Sequence, residues 1–189
     1  DSIKAQGLTL PAVVDLCRPL ADAITHQVVA EGFVSPAELF GLVVDALAQR
    51  AHTAQWPAQV PAEGGPVRYI DGPSHLPSCS DTSGMLTLDA VLDASVGLQA
   101  HLDQHQQMPA QVQIGPLRLA PADFLATVAS SLPRWVHGDR GDVPIRSGNF
   151  IQANYIPDHV DWDWVIFPPS FNGDPLLELG KLQAWTLKP

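Results

Sequence analysis

The sequence predicts a mainly α-helical fold with small β-hairpins. It reads as two degenerate helix–hairpin–helix repeats plus an irregular Trp-rich C-terminal segment. Three observations predict this. First, short blocks recur. Leu8-Thr9-Leu10, Ala12-Val13 and Asp15 return as Leu86-Thr87-Leu88, Ala90-Val91 and Asp93, and Ser35-Pro36-Ala37-Glu38 returns as Ala120-Pro121-Ala122-Asp123. Pro57-Ala58-Gln59-Val60, then Gly65-Pro66-Val67-Arg68, returns as Pro109-Ala110-Gln111-Val112, then Gly115-Pro116-Leu117-Arg118. The offsets differ, so insertions separate the shared elements. Second, apolar residues follow helical spacing in runs that open on good caps. Third, this periodicity stops at Pro133, while four of the five tryptophans fall in the C-terminal third. Repeated supersecondary units usually build surfaces rather than one catalytic pocket.

Thr9 is an N-cap with Pro11 close behind, and Leu10, Val13, Val14, Leu16, Leu20, Ile24 and Val28 continue the helical pattern. Pro19 predicts a kink or break inside that run, and Gly32 ends it. Ser35-Pro36-Ala37-Glu38 combines N-cap, Pro at N1 and Glu at N3, so a helix is expected from there to about Thr53. Pro57 to Ile70 reads as a loose hairpin with Val67 to Ile70 as its better strand, and Pro73 to Gly84 as a loop or linker. Thr87 caps a helix to about Gln107. Val112/Ile114 and Leu117/Leu119 alternate around Gly115-Pro116 as a second hairpin. Ala120-Pro121-Ala122-Asp123 opens a helix ending near Leu132-Pro133, and Asp174-Pro175 opens a last short one. The expected divisions are a first repeat with its linker over 1–84, a second repeat over 85–133, and the Trp-rich segment over 134–189 packing on both.

A chain of 189 residues, 46% hydrophobic and 16% charged, can bury a core unaided. Its formal charge of −10, with Lys only at 4, 181 and 188, argues against nucleic acid and anionic lipid as partners. No apolar run is long enough for a membrane span. Position 1 is Asp, which fits either a trimmed piece or a processed mature chain. Cys17 sits in an apolar helical pattern and reads as a buried thiol. Cys79 sits in a polar loop and reads as exposed, and a bridge between the two stays open.

The segment from Leu98 to Leu132 resembles the pseudomurein-binding repeat family. A helix ends in His105-Gln106-Gln107-Met108-Pro109, then come Val112-Gln113-Ile114-Gly115 and Leu119-Ala120-Pro121-Ala122-Asp123-Phe124-Leu125. Residues 35–70 carry a fainter version. Asn and Tyr residues common at that family's hairpin are missing here, and the C-terminal third has no counterpart in it. The resemblance implies a wall-attachment module of a surface protein or wall-cleaving enzyme, binding a wall glycan or peptide.

Asp161-Trp162-Asp163-Trp164 alternates carboxylates with indoles. In an extended stretch Trp162 and Trp164 would share one side, either completing the core or stacking on sugar rings. Asp161 and Asp163 would share the other, accepting sugar hydroxyls or, with Asp158, ligating Ca²⁺. Gln111, Gln113 and Arg118 give the second hairpin a polar face as a second candidate surface. His101 and His105 stand four apart on a helix and make half a zinc site, although Leu102 stands where a metalloprotease has Glu, so two polar residues flanking a buried stripe is the stronger reading. Cys79 has no activating context for a thiol nucleophile. Arg140-Gly141-Asp142 matches a tripeptide read by some adhesion receptors, but it also makes an ordinary turn. The expected function is therefore non-catalytic attachment to a cell-wall or cell-surface polysaccharide, extracellular and without a cofactor, as part of a larger surface protein. The rivals are a self-associating structural subunit of an extracellular assembly and an accessory domain of a wall-active hydrolase.

Overall fold

Thr9 and Thr87 each start a helix in the same way, with the threonine hydroxyl accepting an amide N–H three residues on. The computed structural model describes residues 6–29, 32–62, 65–160, 168 and 170–187. Over these the chain is mainly helical with small antiparallel sheets of two strands each. β1 (Leu8–Thr9), α1 (Leu10–Cys17), β2 (Gln27–Val29), β3 (Gly32–Val34), α2 (Pro36–Thr53) and β4 (Gln59–Val60) come first. β5 (Met85–Leu86), α3 (Leu88–His105), β6 (Val112–Ile114), β7 (Leu117–Leu119), α4 (Pro121–Val136) and β8 (Val143–Pro144) follow in the same order. The short α5 (Ile151–Asn154) and then α6 (Asp174–Gln183) close the chain. In both halves the first strand pairs with the last, Leu8 with Val60 and Leu86 with Val143, and the middle pair forms a hairpin.

The halves interlock. α2 packs chiefly on α3, while α4 packs on α1 and on the 3₁₀ turn at Arg18–Ala21. Past β4, Asp71 donates its N–H to the Gln106 carbonyl and accepts from the Met108 N–H. Past β8, Asn149 accepts from the Ile24 N–H and Ile151 donates to the Ile24 carbonyl. Each half thus adds a parallel bridge to the segment that enters the other half's hairpin. One apolar core runs from Leu8 to Trp185, with Phe40 and Phe124 5.4 Å apart at its centre and Phe150 against Trp185 at its C-terminal end.

Several local expectations are corrected. Of the kink or break expected at Pro19, the break occurs: α1 stops at Cys17 and tightens into the 3₁₀ turn, and Val28, expected on the same helix, lies on a strand, 70% exposed. The hairpin β2–β3 occupies what read as the end of that helix. Pro57 to Ile70 is no hairpin. Val60 pairs with Leu8, and residues 65–70 lie across α2, where Gly41 leaves room for Ile70. The third sequence block therefore matches unlike elements, with Pro57–Val60 entering β4 and Pro109–Val112 entering the β6–β7 hairpin. α4 runs through Pro133 to Val136, because burying Trp135 (2% exposed) compensates the amide bond lost at proline. The last short helix forms as expected, and Leu176 and Leu179 on it are exposed.

Cys17 is fully buried and Cys79 exposed, and both are free thiols. Burial pushes the Cys17 thiol up to about 12. A maleimide at pH 8 should therefore modify one thiol of the folded chain, at Cys79, and the second only after unfolding. Rapid labelling of both in the folded chain would contradict this packing.

Candidate functional site

The sites expected from sequence fare differently. Trp162, Trp164, Asp161 and Asp163 lie outside the described residues. The β6–β7 hairpin is as expected: Val112, Ile114 and Leu119 face the core, and Gln113 pairs across from Arg118 with both exposed. Two of its amides, however, are engaged in the fold. Gln111 donates to the Cys79 carbonyl at 2.8 Å, and Gln113 donates to the Gly115 carbonyl across the turn. Arg118 docks the 73–84 loop through its backbone, donating its N–H to Asp81 Oδ2 and accepting from the Asp81 N–H. The hairpin polar face is therefore largely a clasp for that loop, leaving the Arg118 side chain as its exposed charge.

His101 and His105 do share a helix face, with ring centroids 4.6 Å apart. Burial, then the neighbouring His105, holds His101 below the ordinary imidazole range. Among the described residues no group of three or more His, Cys, Asp or Glu side chains is placed to hold a metal ion. Cys79 Sγ contacts Gln111 and Ser78 rather than an imidazole. Asp158, expected near the acidic cluster, pairs with Lys181, whose hydrogen bond and charge hold the carboxyl below its usual value. Arg140 and Asp142 lie on an exposed turn braced by Asp139, which accepts the Gly141 N–H at 2.7 Å and pairs with Arg134.

A different surface brings polar and aromatic groups together. At the C-terminal end of α2, Gln49, Thr53, Gln55, Trp56, Pro57, Ala58, Gln59 and Ala62 line an open groove of about 460 Å³. Local sequence builds it. Ala54 takes a left-handed C-cap conformation (φ 58°), its N–H donating to the Arg50 carbonyl, and this turns the chain back along the helix end. The Thr53 hydroxyl donates to the Gln49 or Gln55 carbonyl and accepts the Gln55 N–H. Ala58 accepts the Leu10 N–H, and β4 is pinned to β1. Trp56 is half-buried against the core and carries the Arg50 guanidinium 5.9 Å from its ring centroid. Sequence reasoning missed this site by weighing tryptophans in clusters. The available signal was the one tryptophan outside the C-terminal third, flanked by Gln49, Gln55 and Gln59.

The strained cap is testable. Ala54→Gly removes the steric cost of a Cβ at positive φ, so the variant should gain about 1 kcal/mol in denaturant unfolding. No gain would mean that this cap geometry is not held in solution. No family model, no curated protein and no solved structure matches the chain.

Proposed function

We propose that this chain is a non-catalytic module that attaches to a cell-wall or cell-surface polysaccharide, as part of an extracellular or surface protein. The observation that carries the reading is the Trp56 groove, where a fixed indole is flanked by three glutamine amides with no hydrogen bond among the described residues. Aromatic faces take the C–H surface of sugar rings, and amides match hydroxyls as both donor and acceptor. The resemblance of Leu98 to Leu132 to pseudomurein-binding repeats supports the same reading. The matching order of elements in the two halves, read as two copies of one unit, supports it as well. Trp162, Trp164, Asp161 and Asp163 remain the proposed second contact, and the exposed Arg118 side chain a further, charged one.

The test is sedimentation of the purified chain with wall sacculi and insoluble surface polysaccharides. Trp56→Ala and the pair Trp162→Ala/Trp164→Ala are carried alongside. Saturable co-sedimentation that one of these variants loses supports attachment and locates the contact. A chain that stays in the supernatant with every wall and polymer overturns the reading. The second reading, a self-associating structural subunit, draws on the exposed Tyr155, Leu176, Leu179 and Leu187 near the C-terminal end. It predicts oligomers at low micromolar concentration without glycan affinity.

A further inference from the structure

We infer that the Trp56 groove takes an uncharged pyranose unit and rejects hexuronates and other acidic sugars. The inference rests on the glycan-binding reading and names the ligand class for that site. All eight lining residues are uncharged, in a chain whose net charge is −10. A carboxylate entering the groove would give up water contacts for a site that, among the described residues, lines it with no cation, in the field of an acidic protein.

The amides point the same way. Gln99, Gln111, Gln113 and Gln152 each engage their side-chain amide within the fold. Gln49, Gln55 and Gln59 do not, among the described residues. A primary amide offers donors and an acceptor without charge, which matches a hydroxyl that both donates and accepts. A carboxylate only accepts and leaves the amide carbonyl unmatched. Arg50 does not alter this balance. Its guanidinium lies toward the Trp56 ring, its Nε is buried, and it is not part of the lining. The contact holds the indole rather than presenting a cation to the groove. The Thr53 and Ala58 hydrogen bonds fix the walls before a ligand arrives, which lowers the ordering cost of binding.

The experiment is calorimetric titration of the full chain with three probes, namely N-acetylglucosamine trimer, cellotriose and trigalacturonic acid, at low and high salt. The wild type is compared with Trp56→Ala, with Gln55→Ala/Gln59→Ala, whose sites are exposed and leave the core intact, and with Trp162→Ala/Trp164→Ala. At least one neutral trimer should bind saturably and independently of salt. Trp56→Ala should weaken it roughly tenfold or more, the glutamine pair should weaken it too, and the C-terminal pair should not. Preferential, salt-sensitive binding of trigalacturonic acid overturns the inference. So does neutral-trimer binding that neither groove variant affects, and in that case attachment to the wall survives. Sedimentation onto walls with no neutral trimer bound also rejects the uncharged-pyranose assignment. Loss of sedimentation with every wall would remove the glycan reading and this inference together.

Discussion

Arg68→Ala should destabilise the fold by about 3–5 kcal/mol in denaturant unfolding at neutral pH, the range for stripping one partner from a buried charge. Asp45 lies on α2 with its side chain only 3% exposed. Arg68 Nη2 donates to Asp45 Oδ1 at 2.7 Å, Gln99 on α3 donates to the same oxygen at 3.1 Å, and Arg68 also pairs with Asp103. The network ties the 65–70 segment to both long helices of the interlocked core. Asp103 is 60% exposed, so solvent screens its share, and the loss arises at Asp45. Asp45→Asn keeps a neutral side chain that Gln99 can still bond, and should cost less than Arg68→Ala. The reverse order would place the energy elsewhere.

The same carboxylate sets a pH dependence. Burial raises the Asp45 carboxyl above its ordinary value, outweighing the lowering by Arg68 and by the Gln99 bond. The folded chain therefore holds this proton more tightly than the unfolded chain. Between the unfolded and the raised folded pKa, stability falls as pH rises. Removing Arg68 takes away the largest lowering influence and raises the folded value further. The deficit of Arg68→Ala should be full above that raised pKa and shrink as pH falls through it toward the ordinary carboxylate range. Urea unfolding of both chains at neutral and mildly acidic pH measures this gap. A gap that stays constant with pH means that Asp45 is not the buried, charged partner.

The parts of the fold that were legible in the sequence are those whose hydrogen bonds close locally. Ser35 and Glu38 cap α2 reciprocally, with the Ser35 N–H donating to Glu38 Oε2 at 2.8 Å and the Glu38 N–H donating to Ser35 Oγ at 3.2 Å. Four residues contain the whole device, and α2 ends where its pattern ends. α4 opens on the parallel Ala120-Pro121-Ala122-Asp123, but alanine has no hydroxyl to cap with. The Ala120 N–H is instead accepted by Ser80 Oγ, forty residues away, which a linear pattern cannot show. Val60 is a similar case. Its strand partner Leu8 is separated from it by two helices, so a nearer partner in a hairpin was the simpler expectation. Of the candidate site, the hairpin face was legible from alternation alone. What was hidden was the engagement of Gln111 by a loop whose docking has no sequence period. The Trp56 groove was hidden for a related reason. It depends on Ala54 adopting positive φ, which sequence assigns to glycine or asparagine.

Gly148→Ala should cost about 1–3 kcal/mol or more, the range for forcing atoms into a packed site. A Cβ there would overlap the Ala122 carbonyl in the first turn of α4. The φ of Gly148 lies outside the left-handed region, so the obstacle is space alone. The approach is close because the post-β8 segment bonds to Asp123 in the first turn of α4. Gly148 donates its N–H to Asp123 Oδ1 at 2.7 Å, while Ser80 donates to Oδ2 and accepts the Ala120 N–H at 2.9 Å. Thr127 extends the seam by accepting the Arg146 N–H at 2.8 Å. Asp123 thus receives one donor from the loop before β5 and one from the segment after β8. Ser80→Ala alone removes the acceptor of the Ala120 N–H and a donor to Asp123, and should cost roughly 1–3 kcal/mol. The two changes act on one carboxylate, so their effects should not add. With Gly148 already displaced by the new methyl, deleting the Ser80 hydroxyl should cost at least about 0.5 kcal/mol less than in the wild type. A double-mutant cycle by urea unfolding measures that coupling. Strict additivity would mean that the loop and the seam are held independently, and that Asp123 does not join them.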